Sequence, residues 1–274
     1  MVLFQKKLRQ EYKRGFAGLV FSYIKHFVKA NSKYGIHSPF VYRLVTDCIF
    51  KKISSAEFEF IENHRKRLRA DKSKIPVNEF GAKNNGIAGK KDTISRIARN
   101  SLKSSKQAKL LYKVADYFEC NNILELGTSF GITTSYLCKA RPDALVNSIE
   151  GNSKVAGMAN NIFESLELKN IRLHIGDIDN LLIPVLENID APDLIFLDAN
   201  HTKNATIKYF NILIDYIDDN SLLIIDDIYW SNGMEKAWNE ICDHHKVSVT
   251  VDLFYMGLVF FKKGLSKENF IIRY

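Results

Sequence analysis

The chain has 274 residues, 46% hydrophobic and 26% charged, which excludes wholesale disorder or a fibrous fold and leaves room for a sizeable core. Its four cysteines, Cys48, Cys120, Cys138 and Cys242, form no CxxC pair and have no histidine at ligand spacing. A disulfide scaffold, a zinc finger and a thioredoxin-type site are therefore not expected, and free thiols fit a cytoplasmic protein.

The formal charge of +8 is unevenly spread: residues 1–106 hold 24 Lys and Arg against 8 Asp and Glu, so a basic first third precedes an acidic remainder. No apolar run is long enough for a membrane span; the best, Phe16–Val28, is broken by Ser22, Lys25 and His26. Lys6, Lys7 and Arg9 are not followed by an apolar core with a cleavage site, so no secretory signal is expected.

Along the chain, Leu19, Val20, Tyr23, Ile24, Phe27 and Val28 recur at helical spacing and predict a helix over Phe16–Lys29. Gly35 and Pro39 break the next stretch, and a second helix is expected over Phe40–Phe50. Phe58, Ile61 and Leu68 support a third, ending in the charge run Arg65, Lys66, Arg67 and Arg69. Lys72–Lys91 is expected as a loop, and Gly81, Gly86 and Gly89 give its Glu79–Lys91 portion the freedom to close over a substrate. Asp92 is placed as the cap of the following helix, and another helix is expected over Ser104–Phe118.

After Cys120 the rhythm becomes strand and helix. Strands are expected at Asn122–Leu126, Leu145–Glu150, Ile171–Gly176, Asp193–Asp198 and Ser221–Asp226. Helical stretches at Gly131–Cys138, Lys154–Leu166, Thr202–Ile217 and Gly233–His244 separate them. Strands this apolar, linked by crossover-length helices, imply a parallel sheet covered on both faces. Val247–Phe254 and Gly257–Lys262 are joined too closely for a crossover and imply an antiparallel hairpin.

Open α/β sheets bind ligands beyond the carboxyl ends of their strands, and five polar signals fall there. Glu125-Leu126-Gly127-Thr128-Ser129-Phe130-Gly131 closes the first strand and opens a helix; its glycine spacing is neither G-x-G-x-x-G nor a Walker motif. Glu150 ends the second strand, where a carboxylate can hold ribose hydroxyls or act as a surface cap. Asp177 can reach an adenine amine, cap the next helix, or both. Asp198 and the Asp226-Asp227 pair end two further strands, as ligands for a hard divalent cation or as plain helix caps.

From about Lys106 onward, these motifs and the terminal hairpin resemble class I S-adenosylmethionine-dependent methyltransferases. The likeness is greatest to the metal-dependent O-methyltransferases of the catechol and caffeoyl-coenzyme A type and their bacterial relatives. It implies a Rossmann-like, doubly wound, mostly parallel seven-stranded sheet with a C-terminal antiparallel hairpin. Residues 106–274 would then form the methyltransferase domain and residues 1–105 a basic, mainly helical extension. By position, Glu125, Gly127, Thr128, Ser129 and Gly131 would line the methionine part of S-adenosylmethionine, Glu150 the ribose and Asp177 the adenine. Asp198 would match the first metal aspartate, and Asp226 with Asp227 the family's Asp-Asn pair, with Mg2+ as the implied ion; Asp227 departs from the asparagine.

The family's catalytic lysine spacing is not reproduced. His201 and Lys203 lie nearest and, with Asp198, are the candidates for deprotonating the acceptor. The implied partner is a small-molecule hydroxyl acceptor. A nucleic acid held by the basic region, a non-catalytic binding role on the same fold and a homodimer are the alternatives.

Overall fold

The computed structural model describes residues 14–30, 35–76 and 91–274. In chain order the helices and strands begin with α1 (Phe16–Lys29) and α2 (Pro39–Arg43), which runs into a π-helical turn (Leu44–Ile49). A 3-10 turn (Ala56–Phe58) leads to α3 (Glu59–Ala70), β1 (Lys74–Pro76), β2 (Lys91–Thr93), α4 (Ile94–Ser101) and α5 (Ser105–Tyr117). The strand–helix alternation follows: β3 (Asn122–Leu126), α6 (Ile132–Ala140), β4 (Leu145–Glu150), α7 (Ser153–Ser165), β5 (Ile171–Ile175), α8 (Ile178–Leu186) and β6 (Leu194–Leu197). It continues through α9 (Lys203–Leu213), β7 (Leu222–Asp226), α10 (Asn232–Asp243), β8 (Val249–Asp252), β9 (Met256–Phe260) and β10 (Glu268–Ile271). This is a Rossmann-like α/β fold with a mixed, mostly parallel sheet, C-terminal antiparallel strands and N-terminal helices.

The chain divides into two compact units, Cys48–Pro192 and a second made of Met1–Asp47 with Asp193–Tyr274. In Cys48–Pro192, β4 lies between β3 and β5, both pairings parallel, with Leu124 opposite Asn147 and Ser148 opposite Leu173. Helix α5 starts on a capping box in which Ser104 accepts from the Gln107 amide and Gln107 accepts from the Ser104 amide. The Lys113 ammonium on α5 donates to the Ile49 and Lys51 carbonyls, a cation placed where a helical segment ends. Phe58, Ile61 and Leu68 pack with Ile94, Ala98, Ala108, Phe130 and Tyr136 into one buried cluster.

In the other unit β6 and β7 are parallel, β7 and β9 antiparallel, β9 and β8 antiparallel, and β8 and β10 parallel. Residues 194–197 are Leu-Ile-Phe-Leu and all buried, as a strand covered on both faces requires. Gly257 on β9 has no side chain where Trp238 of α10 lies, so the indole packs directly on the strand backbone. Helix α1 belongs to this unit, where His26 contacts Asp252 of β8.

Several expectations change in detail. The 40–50 helix is a short α-helix followed by a π turn. The 72–91 loop is flanked by a two-stranded antiparallel ribbon, β1 with β2. The cap of α4 is Thr93, whose hydroxyl accepts from the Arg96 amide; Asp92 instead accepts from the Thr93 amide and pairs with Arg96. Strand β10, parallel to β8, is a strand beyond those expected. The glycines at 81, 86 and 89 of the expected lid lie outside the described residues, as do Lys6, Lys7 and Arg9.

Candidate functional site

Two clusters form at strand ends, one in each unit. In Cys48–Pro192 the chain leaves β3 through a turn that ordinary residues adopt reluctantly. Gly127 has φ 106°, Ser129 φ 51° and Gly131 φ 74°. Gly131 caps α6 in the left-handed conformation, and a Cβ there would lie 2.5 Å from Phe163 Cε1 and 3.1 Å from Ala159 Cβ. The turn is tied to the next strand: the amides of Gly127 and Thr128 both donate to the Ile149 carbonyl, at 3.0 and 3.2 Å.

Glu150 closes this arrangement. One carboxylate oxygen accepts from the Ser129 amide at 2.8 Å and the other from the Asn152 amide at 2.8 Å. The Ser129 hydroxyl lies 2.7 Å from that of Ser101, at the end of α4. Glu125 is fully buried and accepts from the Thr134 and Ser148 hydroxyls, the latter also touching Thr128. Asp177 caps α8, accepting from the Asp179 amide at 3.0 Å. His174 lies 3.0 Å from the Asn147 side-chain oxygen; burial, then the Arg172 charge, lowers its pKa below the ordinary 6.5.

In the other unit β6 delivers Asp198 and β7 delivers Asp226. Asp198, His201 and Asp226 each place a ligand atom within 4.8 Å of the others. His201 Nε2 is 3.3 Å from Asp198 Oδ1, and its ring lies 6.1 Å from Trp230. The turn that presents His201 uses Asn200 at φ 50°, whose side-chain amide donates to the Tyr209 hydroxyl at 2.7 Å. Thr202 then caps α9 by accepting from the Ala205 amide.

Asp227 is not a member of this trio. It follows Asp226 at the end of an extended strand, where successive side chains take opposite directions. Its φ of 52° and its amide bond to the Tyr255 carbonyl turn the chain toward Trp230. Lys203 pairs with Glu240 of α10 at 2.6 Å. His201, identified in the sequence as a base, therefore enters the cluster itself. Its signal is spacing: three residues after a strand-end aspartate brings the two side chains together through a turn.

One cluster was not visible in the sequence. Asp252 is buried and meets His26 Nε2 at 3.0 Å, the Tyr229 hydroxyl at 2.7 Å and the Phe254 amide at 2.8 Å. Burial, then the Asp252 charge, raises the Tyr229 pKa. Among the basic residues proposed for phosphate, Arg65 is buried and donates to Glu62 and the Lys103 carbonyl.

Residues 124–228 match the family described as a methyltransferase domain. The catechol O-methyltransferase of Niastella koreensis is 28% identical over 128 residues, 46% of this chain and 57% of that protein. The chain thus spans little more than half the length of that curated relative. Among solved structures, an S-adenosylhomocysteine-bound Podospora anserina methyltransferase aligns with TM-score 0.58 and 16% identity, over 85% of this chain and all of that one. The O-methyltransferase TomG of Streptomyces achromogenes, solved with S-adenosylmethionine, aligns with TM-score 0.54 and 17% identity, over 81% of this chain and 95% of its own. With the left-handed turn after β3, the carboxylates at the strand ends and the antiparallel C-terminal strands, these likenesses identify a class I S-adenosylmethionine-dependent methyltransferase fold resembling the catechol and caffeoyl-coenzyme A O-methyltransferases and their bacterial relatives.

Proposed function

We propose that this chain transfers a methyl group from S-adenosylmethionine to the hydroxyl of a small-molecule acceptor, with a divalent cation held by Asp198, His201 and Asp226. The observation that carries the acceptor chemistry is the convergence of two carboxylates and an imidazole at the ends of β6 and β7. The residues in this reading all fall within 106–274, the stretch assigned here to methyl transfer.

S-Adenosylmethionine supplies an electrophilic methyl group when bound, so no covalent enzyme intermediate is required. The chain's task is to bind and orient. The turn 127–131 is held in shape by its own amides, which bond to Ile149, Glu150 and Thr128, and Gly127, at φ 106°, lets the chain leave β3 without a side chain at the bend. Glu150 fixes that turn through Ser129 and lies at the strand end where ribose hydroxyls are bound in nucleoside sites. Asp177 has the adenine-side position; its bond to the Asp179 amide makes it a cap as well. Glu125 acts from beneath, holding Thr134 and Ser148 so that the turn keeps its shape.

The donor set fits a divalent cation: two anionic oxygens and one imidazole nitrogen from three different chain positions. A bound cation supplies positive charge that lowers the acceptor hydroxyl's pKa. The imidazole moves the preference away from Mg2+, which favours an all-oxygen shell, toward Mn2+, Co2+ or Zn2+. Asp227 is a contributor to the local negative charge rather than a ligand.

A second reading is favoured by the contact between His201 and Asp198. There the carboxylate orients a neutral imidazole, which accepts the hydroxyl proton without a metal. Nucleic acid is less well supported, since burial removes Arg65 from the phosphate-binding run. The test has two parts. Calorimetric titration with S-adenosylmethionine addresses the class, and absence of binding to folded protein rejects it. Labelled methyl transfer to a catechol panel, after exhaustive chelation and after restoring Mn2+ or Mg2+, separates the two readings of His201.

A further inference from the structure

Helix α1 is built inside out. Its buried residues are Ser22 and His26, one turn apart on one face. Ser22 accepts from Arg14, and His26 meets the buried Asp252. Both line an open pocket of about 470 Å3 whose walls include Tyr229, Cys242 and Thr250. The opposite arc carries the apolar residues, and it is exposed: Phe16 by 85%, Phe21 by 71%, Ile24 by 55% and Val28 by 77%. A helix of an ordinary domain does the reverse, burying its apolar stripe.

We propose that this exposed face of α1 lies on the surface of an anionic lipid bilayer. The charge of this part of the sequence selects that occupant. Residues 1–29 contain seven Lys and Arg and a single acid, Glu11. Lys25 and Lys29 are exposed on the side of α1 that lines the pocket, Lys25 within 3.9 Å of Glu235, and Arg273 sits over the Phe27 ring at 3.6 Å, a cation beside the apolar arc itself. Two copies of this chain paired through α1 would bring these like charges together, whereas lipid phosphates complement them. At 14 residues α1 is about 21 Å long, too short to cross the roughly 30 Å hydrocarbon core. No helix among the described residues is long and apolar enough to span. An in-plane helix, with its aromatic and aliphatic side chains at the headgroup boundary and Arg273 beside them, is the arrangement that satisfies both facts. The proposal is independent of the methyl-transfer reading, since none of these residues belongs to either strand-end cluster.

The test is co-sedimentation of the purified full chain with vesicles of phosphatidylcholine, with and without phosphatidylglycerol. Binding is expected to the anionic vesicles, to weaken with added salt, and to be poor on phosphatidylcholine alone. Phe21→Ser with Val28→Ser removes two exposed side chains that no core residue needs. It should cut partitioning by about tenfold or more while leaving the melting midpoint unchanged. Lys29→Glu, also exposed, should weaken binding in the same direction. Absence of binding to anionic vesicles overturns the proposal, as does binding that the double variant leaves intact. A concentration-dependent dimer that dissolves in the double variant, without vesicle binding, assigns the face to a second copy instead.

Discussion

Glu150 Oε2 accepts from the Ser129 amide at 2.8 Å, so the acid at the end of β4 holds the turn that follows β3. One side chain thereby serves two neighbouring strands, and its other oxygen secures the start of α7 through Asn152. Glu150→Ala should therefore lower affinity for S-adenosylhomocysteine by about tenfold or more, the loss of roughly 1.5–3 kcal/mol of charge-assisted hydrogen bonding. Glu150→Gln, which keeps an acceptor for one amide, should lose less. Calorimetry on both variants, with melting curves alongside, checks this; equal affinities in all three proteins remove Glu150 from the site.

Gly131→Ala should be the most damaging small substitution in the turn. The new methyl would press on Phe163, and φ 74° disfavours any side chain. Overpacking and backbone strain together are expected to cost about 2–4 kcal/mol. A fall of several degrees in the melting midpoint is the readout, and a midpoint within error of the parent contradicts the packing described for this turn.

The trio predicts an ordering of metal affinities. His201→Ala should weaken Co2+ or Zn2+ binding by about tenfold or more and Mg2+ binding much less, since only the former group favours imidazole. Asp198→Asn should weaken all of them. Asp227→Asn should change affinity little, because Asp227 stands outside the trio. Titrations followed by cobalt absorption spectra report on the ligands directly, without an acceptor in hand. A larger loss from Asp227→Asn than from His201→Ala would restore the all-oxygen set.

Lys203 and His201 are neighbours in sequence with different expected weights. Lys203→Ala breaks an ion pair with Glu240 whose partners are both substantially exposed, so its effect on stability should stay below about 1 kcal/mol. Turnover should also survive, whereas His201→Ala should abolish most of it. Steady-state rates with a common acceptor distinguish them; a comparable collapse in Lys203→Ala would make the lysine the base.

Acid should destabilise the fold in part through His174. Its folded pKa lies below the ordinary 6.5, so the folded state binds fewer protons than the unfolded one as pH falls through that region. The favourable contribution is present above 6.5 and is lost as pH descends toward the lowered value. His64 and His244 are shifted the same way, both mainly by burial. His174→Gln, which keeps a polar partner for Asn147, should flatten the dependence of melting midpoint on pH. An unchanged slope would show that the other histidines carry it.

Strands β6 and β7 were legible as apolar runs ended by aspartate, β3 to β5 by their place in the strand–helix rhythm, and the hairpin because its gap admits no crossover. β10 was not: its sequence Glu-Asn-Phe-Ile buries one side chain and has no apolar run to read. The π turn at Leu44–Ile49 closes its hydrogen bonds one residue further along than an α-helix, a difference that the apolar pattern of six residues does not show. Helix α1 was legible as a helix, but periodicity gives the stripe and not the side facing inward. The strand-end carboxylates could be named from sequence, yet which of two adjacent aspartates joins the trio depends on a backbone angle at Asp227. The His26–Asp252 pair joins residues 226 positions apart, beyond any local pattern.

That separation also bears on synthesis. Cys48–Pro192 is one uninterrupted stretch of chain. The unit containing α1 is completed only by residues translated far later, Asp252 for His26 and Arg273 for Phe27. In the interval His26 has water in place of its later partner Asp252, while Phe21 and Val28 are already exposed on the nascent chain. Of the described helices, the first to be translated is thus among the last to complete its contacts.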